Sequence, residues 1–300
     1  MNRKRTLWLI ATLVVLALPF AAYRVWNAQL MQRLHSEQPQ IFAAPVVDAV
    51  PPQLPNDLTQ PAILVFSKTN GYRHKDAIPA GNRMFMELAR RNGWSVFVTE
   101  NAAVYNDAQL ARFNAVVWNN ASRPELTDEQ KQALQRFIES GGGFVGIHAA
   151  GDSSHTGWDW YQSQVIRARF LGHPMWPQFA VGKVIVEQAQ HPIMSGLPPT
   201  WDWSEEWYSF HESPRQNGVT VLATVDEASY DAGHLLEPMR FRVGRTLAMG
   251  EDHPIAWSHT IGKGRVFYTA MGHKADAYND PVFRTMLEQA ITWTSQFDRR

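Results

Sequence analysis

Short apolar runs alternate with amphipathic stretches from residue 62 to residue 297. The first run, AILVFS at 62–67, is continuously apolar, as expected of a strand buried on both faces. The next stretch, 80–91, carries its apolar residues on one helical stripe. Thr127 and Gln130 form a capping box that predicts a helix to Ser140. Further strands are predicted at 95–100, 114–120, 144–147, 183–188, 219–225, 245–250 and 264–270, and a closing helix at 280–297.

This alternation of strands and helices predicts an α/β fold with a mainly parallel sheet and helices on both of its faces. Ligands of such sheets bind beyond the carboxyl ends of the strands. The segments SKTNGYRHKD, NNASRP and HAAGD follow the first, third and fourth predicted strands. We therefore expect these three segments to surround one crevice.

The N-terminus has the pattern of a membrane anchor. MNRKR is followed by eighteen residues without a charge, TLWLIATLVVLALPFAAY, enough for about 27 Å of helix. A cleaved signal peptide is the alternative, but no good Ala-x-Ala site follows. The three basic residues before the apolar stretch favour a cytoplasmic N-terminus, and Trp8 and Trp26 lie where interfacial tryptophans belong. We expect a single-pass inner-membrane anchor at 1–27, with the rest on the periplasmic side.

Prolines divide this anchor from the folded region. Six of them lie between residues 38 and 62, a density that prevents helix and favours an extended spacer. The prediction is a proline-rich linker at 28–61, followed by one domain at 62–297.

Composition excludes several functions. The formal net charge is zero, which argues against a nucleic-acid partner, since phosphate binding normally leaves a basic stripe. The absence of cysteine excludes disulfides, a thiolate nucleophile and cysteine-ligated metal. The twelve tryptophans weakly favour a carbohydrate ligand, because sugar rings stack on aromatic side chains.

The stretch GGGFVGIHAAGD, residues 141–152, has the build of a nucleophile elbow with a histidine in the nucleophile's place. Gly146 and Ala150 flank His148 two positions to either side, and small neighbours let a chain turn sharply enough to present the central side chain. His148 is therefore predicted to face a ligand. Glutamine deamidation through a thioester is excluded, because it needs cysteine here.

Other polar residues follow predicted strand ends. His74 follows the first strand, and His273 follows VFYTAMG. Neutral imidazoles with a carboxylate suit a divalent metal such as zinc, or a general acid and base for a sugar. The alternative interpretation is that loop histidines only cap turns, and His35, His155, His234 and His259 are assigned to it. No pair has the spacing of an HExxH site.

The chain resembles the trehalose-utilisation, or ThuA-like, family. The resemblance runs from about residue 62 to residue 294 and rests on seven blocks in the family's order. These are VFSKTNGYRH (65–74), GGGFVGIHAAGD (141–152), GHP (172–174), HPIMSGLP (191–198), EEWYSF (205–210), HPIAW (253–257) and GKGRVFYTAMGH (262–273).

The resemblance implies a flavodoxin-like sheet, similar to class I glutamine amidotransferases, with a small-molecule pocket at its strand ends. The family's characteristic polar positions fall on His74, His148, Glu206 and His273, and its His-Pro turns on His173, His191 and His253. One departure is that Glu205 stands where the family usually has aspartate. The family is linked to disaccharide catabolism beside sugar oxidoreductases, and a divalent metal has been suggested for some members.

Two functions gain specific support from the sequence, and a third, a structural envelope protein, gains none. The first is an enzyme that cleaves or isomerises a glucoside or 3-keto-glucoside, with His148 as base and Glu206 as acid. A metal would be held by His74, His148 or His273. The second is a non-catalytic, membrane-tethered sugar-binding module. The predicted substrate-binding residues are Asp152, His173, His191, Tyr208 and His253, and the tryptophans suited to sugar capture are Trp118, Trp158, Trp160, Trp176 and Trp207.

Overall fold

The structure is a computed structural model that describes residues 3–155, 157–237 and 242–297. It divides into two compact units, Met1–Pro45 and Val46–Arg300. In the first unit, α1 covers Arg3–Glu37. The side chains of residues 1–17 and 19, which make up most of the predicted anchor, lie outside the described part. Among the described residues, no helix has the length and apolar character needed to cross a bilayer.

In the second unit, nine strands of the described chain form one sheet in the order β2-β1-β3-β4-β13-β12-β9-β6-β7. Two short strand pairs, β5-β8 and β10-β11, lie outside it. The strands are β1 Ala62–Phe66, β2 Ser95–Thr99, β3 Ala115–Asn119, β4 Gly143–Ile147, β5 Phe170–Gly172, β6 Ala180–Val186, β7 Thr200–Glu205, β8 Ser209–Phe210, β9 Thr220–Asp226, β10 His234–Glu237, β11 Arg242–Thr246, β12 Pro254–Ile261 and β13 Gly264–Thr269.

The sheet has two halves that differ in strand direction. In the parallel half β2, β1, β3, β4 and β13 run the same way, in the strand order known from flavodoxin. In the antiparallel half β12, β9, β6 and β7 alternate in direction. The predicted α/β sheet is thus confirmed, and five of its nine strands are parallel.

Helices cover both faces of the sheet, as predicted. The bounds are α2 Ala77–Asn92, α3 Asp107–Leu110, α4 Asp128–Glu139 and α5 Pro281–Ser295. Apolar residues of α2 and α5 pack with Ile63, Val65 and Val117 on one face, and those of α4 pack with Leu64 and Val116 on the other. This split follows from the alternation of side chains along a strand.

The start of α4 was predicted correctly from its capping residues. The capping box of Thr127 and Gln130 is present at the start of α4. Predictions for the antiparallel half were less accurate. β7 and β12 were not predicted as strands, and the strand expected at 245–250 is instead β11, part of the small β10-β11 pair.

The second half of the proline-rich segment packs onto the domain. Asp48 forms an ion pair with Lys68, and its carboxylate also accepts a hydrogen bond from the backbone N–H of Ala102 at 2.8 Å. Leu58 is buried in the core beside β1. The prolines keep this stretch extended, and from Val46 onward it belongs to the second unit.

Strand directions decide where the loops meet. The carboxyl ends of β1, β4 and β13 lie at one edge of the sheet, because these strands are parallel. The end of β7 and the start of β6 lie at the same edge, since Ala180 pairs with Glu205 in antiparallel register. Polar residues just beyond these ends are therefore close together in space.

Candidate functional site

The elbow after β4 is built as the small-residue pattern predicts. His148 has φ of 49°, a left-handed conformation that a side chain adopts at a cost. A Cβ at Gly146 would lie 3.1 Å from the Tyr268 ring. The Tyr268 hydroxyl donates to the His148 carbonyl oxygen at 2.9 Å and holds the turn. His148 is thereby presented at the sheet edge, although its side chain is fully buried.

His148 belongs to a cluster with His74, Glu206 and His273. One ligand atom from each of the four lies within 4.8 Å of the others. His148 Nε2 is 3.0 Å from His273 Nδ1 and 3.4 Å from Glu206 Oε2. His273 Nδ1 is 3.1 Å from the same oxygen. The four residues predicted from strand ends and from the resemblance thus converge on one point.

His74 completes the cluster from the loop after β1. Its ring lies edge-on to those of His148 and His273, with centroids 4.8 and 4.5 Å away. Its Nδ1 is buried and has no hydrogen-bond partner among the described residues. Burial, together with the neighbouring histidines, holds the pKa of His74 well below its usual value. His74 is therefore a neutral imidazole with an unused polar atom.

Glu206 connects the cluster to the loop before β6. Its Oε1 accepts a hydrogen bond from Gln178 Nε2 at 2.6 Å and lies 3.2 Å from His173 Nδ1. Burial alone would raise the pKa of Glu206, but hydrogen bonds with His148 and His273 outweigh it and lower the pKa. Glu206 is consequently a carboxylate at neutral pH.

His148 responds to the same contact in the opposite direction. Burial by itself would lower its pKa, but the hydrogen bond with Glu206 and the charges of Glu205 and Glu206 raise it overall. Its Nδ1 lies 2.7 Å from the carbonyl oxygen of Ala270, which can only accept, so Nδ1 carries a proton. In the neutral ring, Nε2 then directs a lone pair at the cluster.

The cluster fits a divalent transition metal. Four donors at zinc distances in a tetrahedron lie about 3.3 Å from one another, and three of the observed contacts fall between 3.0 and 3.4 Å. A ligating histidine typically donates its other N–H to a backbone carbonyl, as His148 does to Ala270. The unpartnered Nδ1 of His74 offers a further lone pair. Three imidazoles and one carboxylate suit zinc.

Glu205 holds the backbone that carries two of these donors. Its buried carboxylate accepts hydrogen bonds from the N–H of Gly272 at 2.8 Å and of His273 at 3.3 Å. It also accepts one from the N–H of Glu206 at 3.0 Å. Glu205, at the end of β7, therefore ties the loop after β13 to the neighbouring ligand.

The other predicted binding residues fall into two groups. His173 contacts Glu206, and Tyr208 stacks on the His148 ring with centroids 4.2 Å apart. Asp152 lies just past the elbow, where its carboxylate accepts a hydrogen bond from the N–H of Ser154 at 2.7 Å.

His191 and His253 make structural contacts away from the cluster. His191 Nδ1 accepts a hydrogen bond from the N–H of Ile193 and caps a short helical turn. This turn follows the end of β6 and is remote from the cluster. His253 Nε2 donates to the Tyr208 carbonyl oxygen at 2.9 Å, and its Nδ1 is paired with Glu227. His253 thus supports the backbone of a residue that touches the site.

Sequence reasoning missed two residues of the site, Gln178 and Phe179. Gln178 binds Glu206, and the Phe179 ring lies edge-on to His273 at 5.0 Å. In the sequence, the only indication of a role for these two residues is that they follow the GHP block at 172–174 within a few positions. Among the candidate tryptophans, Trp118 and Trp207 are buried, and Trp158 and Trp160 pack against the core. Trp176 differs, because it is 78% exposed.

Comparison with known proteins points to one family. The model of ThuA, described as trehalose utilisation, matches residues 62–294. A ThuA-like protein from Bacteroides uniformis has a similar structure, with 24% identity, a TM-score of 0.65, and coverage of 82% of this chain and 95% of the other. Another from Parabacteroides merdae has 16% identity, a TM-score of 0.55, and coverage of 78% and 89%. Among curated proteins there was no match.

Proposed function

Since the chain belongs to the ThuA family, described as trehalose utilisation, we propose that it is an enzyme that cleaves or isomerises a glucoside or 3-keto-glucoside at the His74–His148–Glu206–His273 cluster. The family supports a role related to carbohydrates. The observation that carries the proposal is the convergence of four donor atoms within 4.8 Å at the sheet edge where α/β folds bind ligands.

In this proposal His74, His148, Glu206 and His273 hold a divalent metal, with zinc the best match to the donors. Such a metal supplies a Lewis acid that polarises a carbonyl or hydroxyl oxygen of the sugar. The Nδ1 of His74, which has no partner in the described part of the chain, and the hydrogen bond of His148 to the Ala270 carbonyl support this ligand set.

The protein's own acid and base roles differ from those first assigned. Glu206 has a lowered pKa and is therefore a poor proton donor, contrary to its assignment as acid. As metal ligands, His148 and Glu206 are not free to move protons. His173 takes this role in the proposal, because it lies 3.2 Å from Glu206 and its side chain is 26% exposed, more than any of the four ligands.

A 3-keto-glucoside is a chemically suitable substrate for such a site. A ketone at C3 acidifies the C–H at C2, so a base can take that proton. The electron pair forms a double bond between C1 and C2 while the bond from C1 to the glycosidic oxygen breaks, and the leaving oxygen takes up a proton. Tyr208, whose pKa burial raises well above its usual value, stays a phenol and can donate a hydrogen bond to the substrate.

The test mixes the full-length protein with trehalose, other disaccharides and their 3-keto forms, with and without a chelator. One-dimensional proton NMR follows each mixture, and elemental analysis measures bound zinc. New sugar signals that disappear with chelator, and are absent for the His148→Ala variant, support the proposal. If complete removal of metal leaves turnover unchanged, the metal role is wrong. His148 as base and Glu206 as acid would then be the better assignment.

A non-catalytic sugar-binding module is the second candidate. The burial of His74, His148 and Glu206 favours it, because a reacting sugar must reach the metal that these residues would hold, whereas a bound sugar need not. Broadened sugar signals without any product, in the same NMR experiment, would select this candidate.

We further propose that residues 1–27 anchor the protein in the inner membrane and place the domain on the periplasmic side, where a sugar oxidoreductase would supply its substrate. The uncharged stretch of eighteen residues after MNRKR supports this. Extraction of membranes with alkaline carbonate tests it. Release of the full-length protein into the soluble fraction would overturn the anchor.

A further inference from the structure

The loop of residues 173–179, between β5 and β6, is fastened at both ends to one oxygen atom. His173 Nδ1 lies 3.2 Å from Glu206 Oε1, and Gln178 Nε2 donates to the same oxygen at 2.6 Å. Phe179 then packs edge-on against His273. The loop is thus anchored on the cluster itself, and its middle residues are held near it.

Trp176 occupies the middle of this loop and is 78% exposed. It is two residues from Gln178, so its Cα lies within about 7 Å of the Cα of that anchor. The other tryptophans suited to sugar capture are buried or packed against the core. An indole that is this exposed, on a loop that binds the cluster, contributes little to the packing of the fold.

A second exposed aromatic residue lies on the loop after β1. Tyr72 is 43% exposed, and its ring centroid is 5.0 Å from that of His74. The chain thus places one exposed aromatic side chain close to a member of the cluster and a second on the loop that binds Glu206. Aromatic faces beside hydrogen-bonding groups are the combination that a sugar requires, because a pyranose has an apolar C–H face and a rim of hydroxyl groups.

We propose that Trp176 stacks on a pyranose ring of the substrate and is a specificity-determining residue of the site. This inference rests on the proposed function, because it takes the ligand to be a carbohydrate. The indole covers the apolar face of the sugar, and the loop's attachment to Glu206 sets the distance between the stacked ring and the cluster.

The inference is tested on the full-length protein by titration with trehalose and with its 3-keto derivative, using saturation-transfer NMR and calorimetry. Trp176→Ala is expected to weaken binding about tenfold, because stacking and the associated burial are lost. Trp176→Phe keeps an aromatic face and should stay within about threefold of the wild type. Bound zinc should be the same in all variants, since Trp176 is not a ligand.

Met86→Ala is the matched control, because it also removes an exposed apolar side chain, 47% exposed on α2. Its sugar affinity should equal that of the wild type. If wild type and Trp176→Ala bind the sugars equally, the stacking inference is overturned and the proposed function stands. If the wild type binds neither sugar nor converts it, the proposed function fails for these sugars, and the stacking inference fails with it.

Discussion

The two halves of the central sheet contribute differently to the candidate site. The parallel half supplies His74, His148 and His273, each from the segment that follows the carboxyl end of a strand. The antiparallel half supplies Glu206 and the loop that binds it. The histidines lie together because the strands before them are parallel and end at the same edge of the sheet. The Glu206 carboxylate reaches this edge only through the antiparallel strands. The four-residue cluster is complete only when both halves are in place.

The strongest test of this shared site removes one ligand from each half. His148→Ala and Glu206→Gln are each expected to lower zinc affinity by well over 100-fold, since loss of an outer-shell partner alone typically costs 10–100-fold. Competition with a chromophoric chelator measures the affinity. The exposed His234 provides the control, and His234→Ala should bind zinc as the wild type does. If Glu206→Gln binds zinc as tightly as the wild type, the metal site consists of residues from the parallel half alone.

Acid should weaken the antiparallel half through His259 on β12. Burial, together with the charge of Arg167, lowers the pKa of His259 to about 4. Between pH 6.5 and 4 the unfolded chain binds a proton at this residue that the folded chain does not, so stability present above pH 6.5 is lost as the pH falls. The loss is at most about 3.4 kcal/mol, since each pKa unit is worth about 1.4 kcal/mol.

Urea unfolding at pH 7 and pH 4.5 measures this effect. His259→Gln should show a smaller decrease in unfolding free energy between the two pH values than the wild type. His234→Gln, at an exposed position, should show the wild-type decrease. Equal decreases in all three proteins would contradict the assignment to His259.

Gly272 joins the two halves just before His273, and a side chain there should disturb both. Its φ is 115°, and a Cβ would lie 2.8 Å from Ile147 Cγ2. Gly272→Ala is expected to lower the unfolding free energy by about 2 kcal/mol through strain and to weaken zinc binding. Gly250→Ala is a matched control, because Gly250 has φ of 80° but open space around it. If both variants lose equal stability and keep full zinc affinity, the close approach at Gly272 has no consequence.

Glu205 should have the smallest effect of the series, because it supports residues of the cluster without belonging to it. Glu205→Gln directs an NH2 group at backbone N–H donors and is expected to lower zinc affinity about tenfold. Glu205→Asp keeps the charge and should lose less. Glu187→Gln serves as the control, because it alters an ion pair with Arg215 that involves no residue of the cluster. Unchanged affinity in Glu205→Gln would mean that the halves are held together without this carboxylate.

Much of the parallel half was predictable because its signals are local. Continuous apolar runs predict buried strands, the pair Thr127 and Gln130 predicts the start of α4, and the small residues around His148 predict a sharp turn. The convergence of His74, His148 and His273 then follows from the common direction of their strands.

The antiparallel half was harder to predict because its signals are not local. β7 reads TWDWSE and lies at an edge of the sheet, so it is only partly buried and lacks a continuous apolar run. Gln178 is a single polar residue in a loop, and nothing in its neighbours indicates a partner 28 positions away. The placement of His191 and His253 away from the cluster likewise depends on tertiary contacts, with Ile193 and Tyr208 respectively.

The segment that precedes β1 has a practical consequence for anyone who shortens this chain. Lys68 follows β1 closely, its side chain is only 9% exposed, and its partner Asp48 lies fourteen residues before that strand begins. Cutting the chain at residue 61 would leave a buried ammonium group without this carboxylate, six residues from His74, and would also remove Leu58 from the core. A shortened protein that keeps the site intact should therefore begin before Val46.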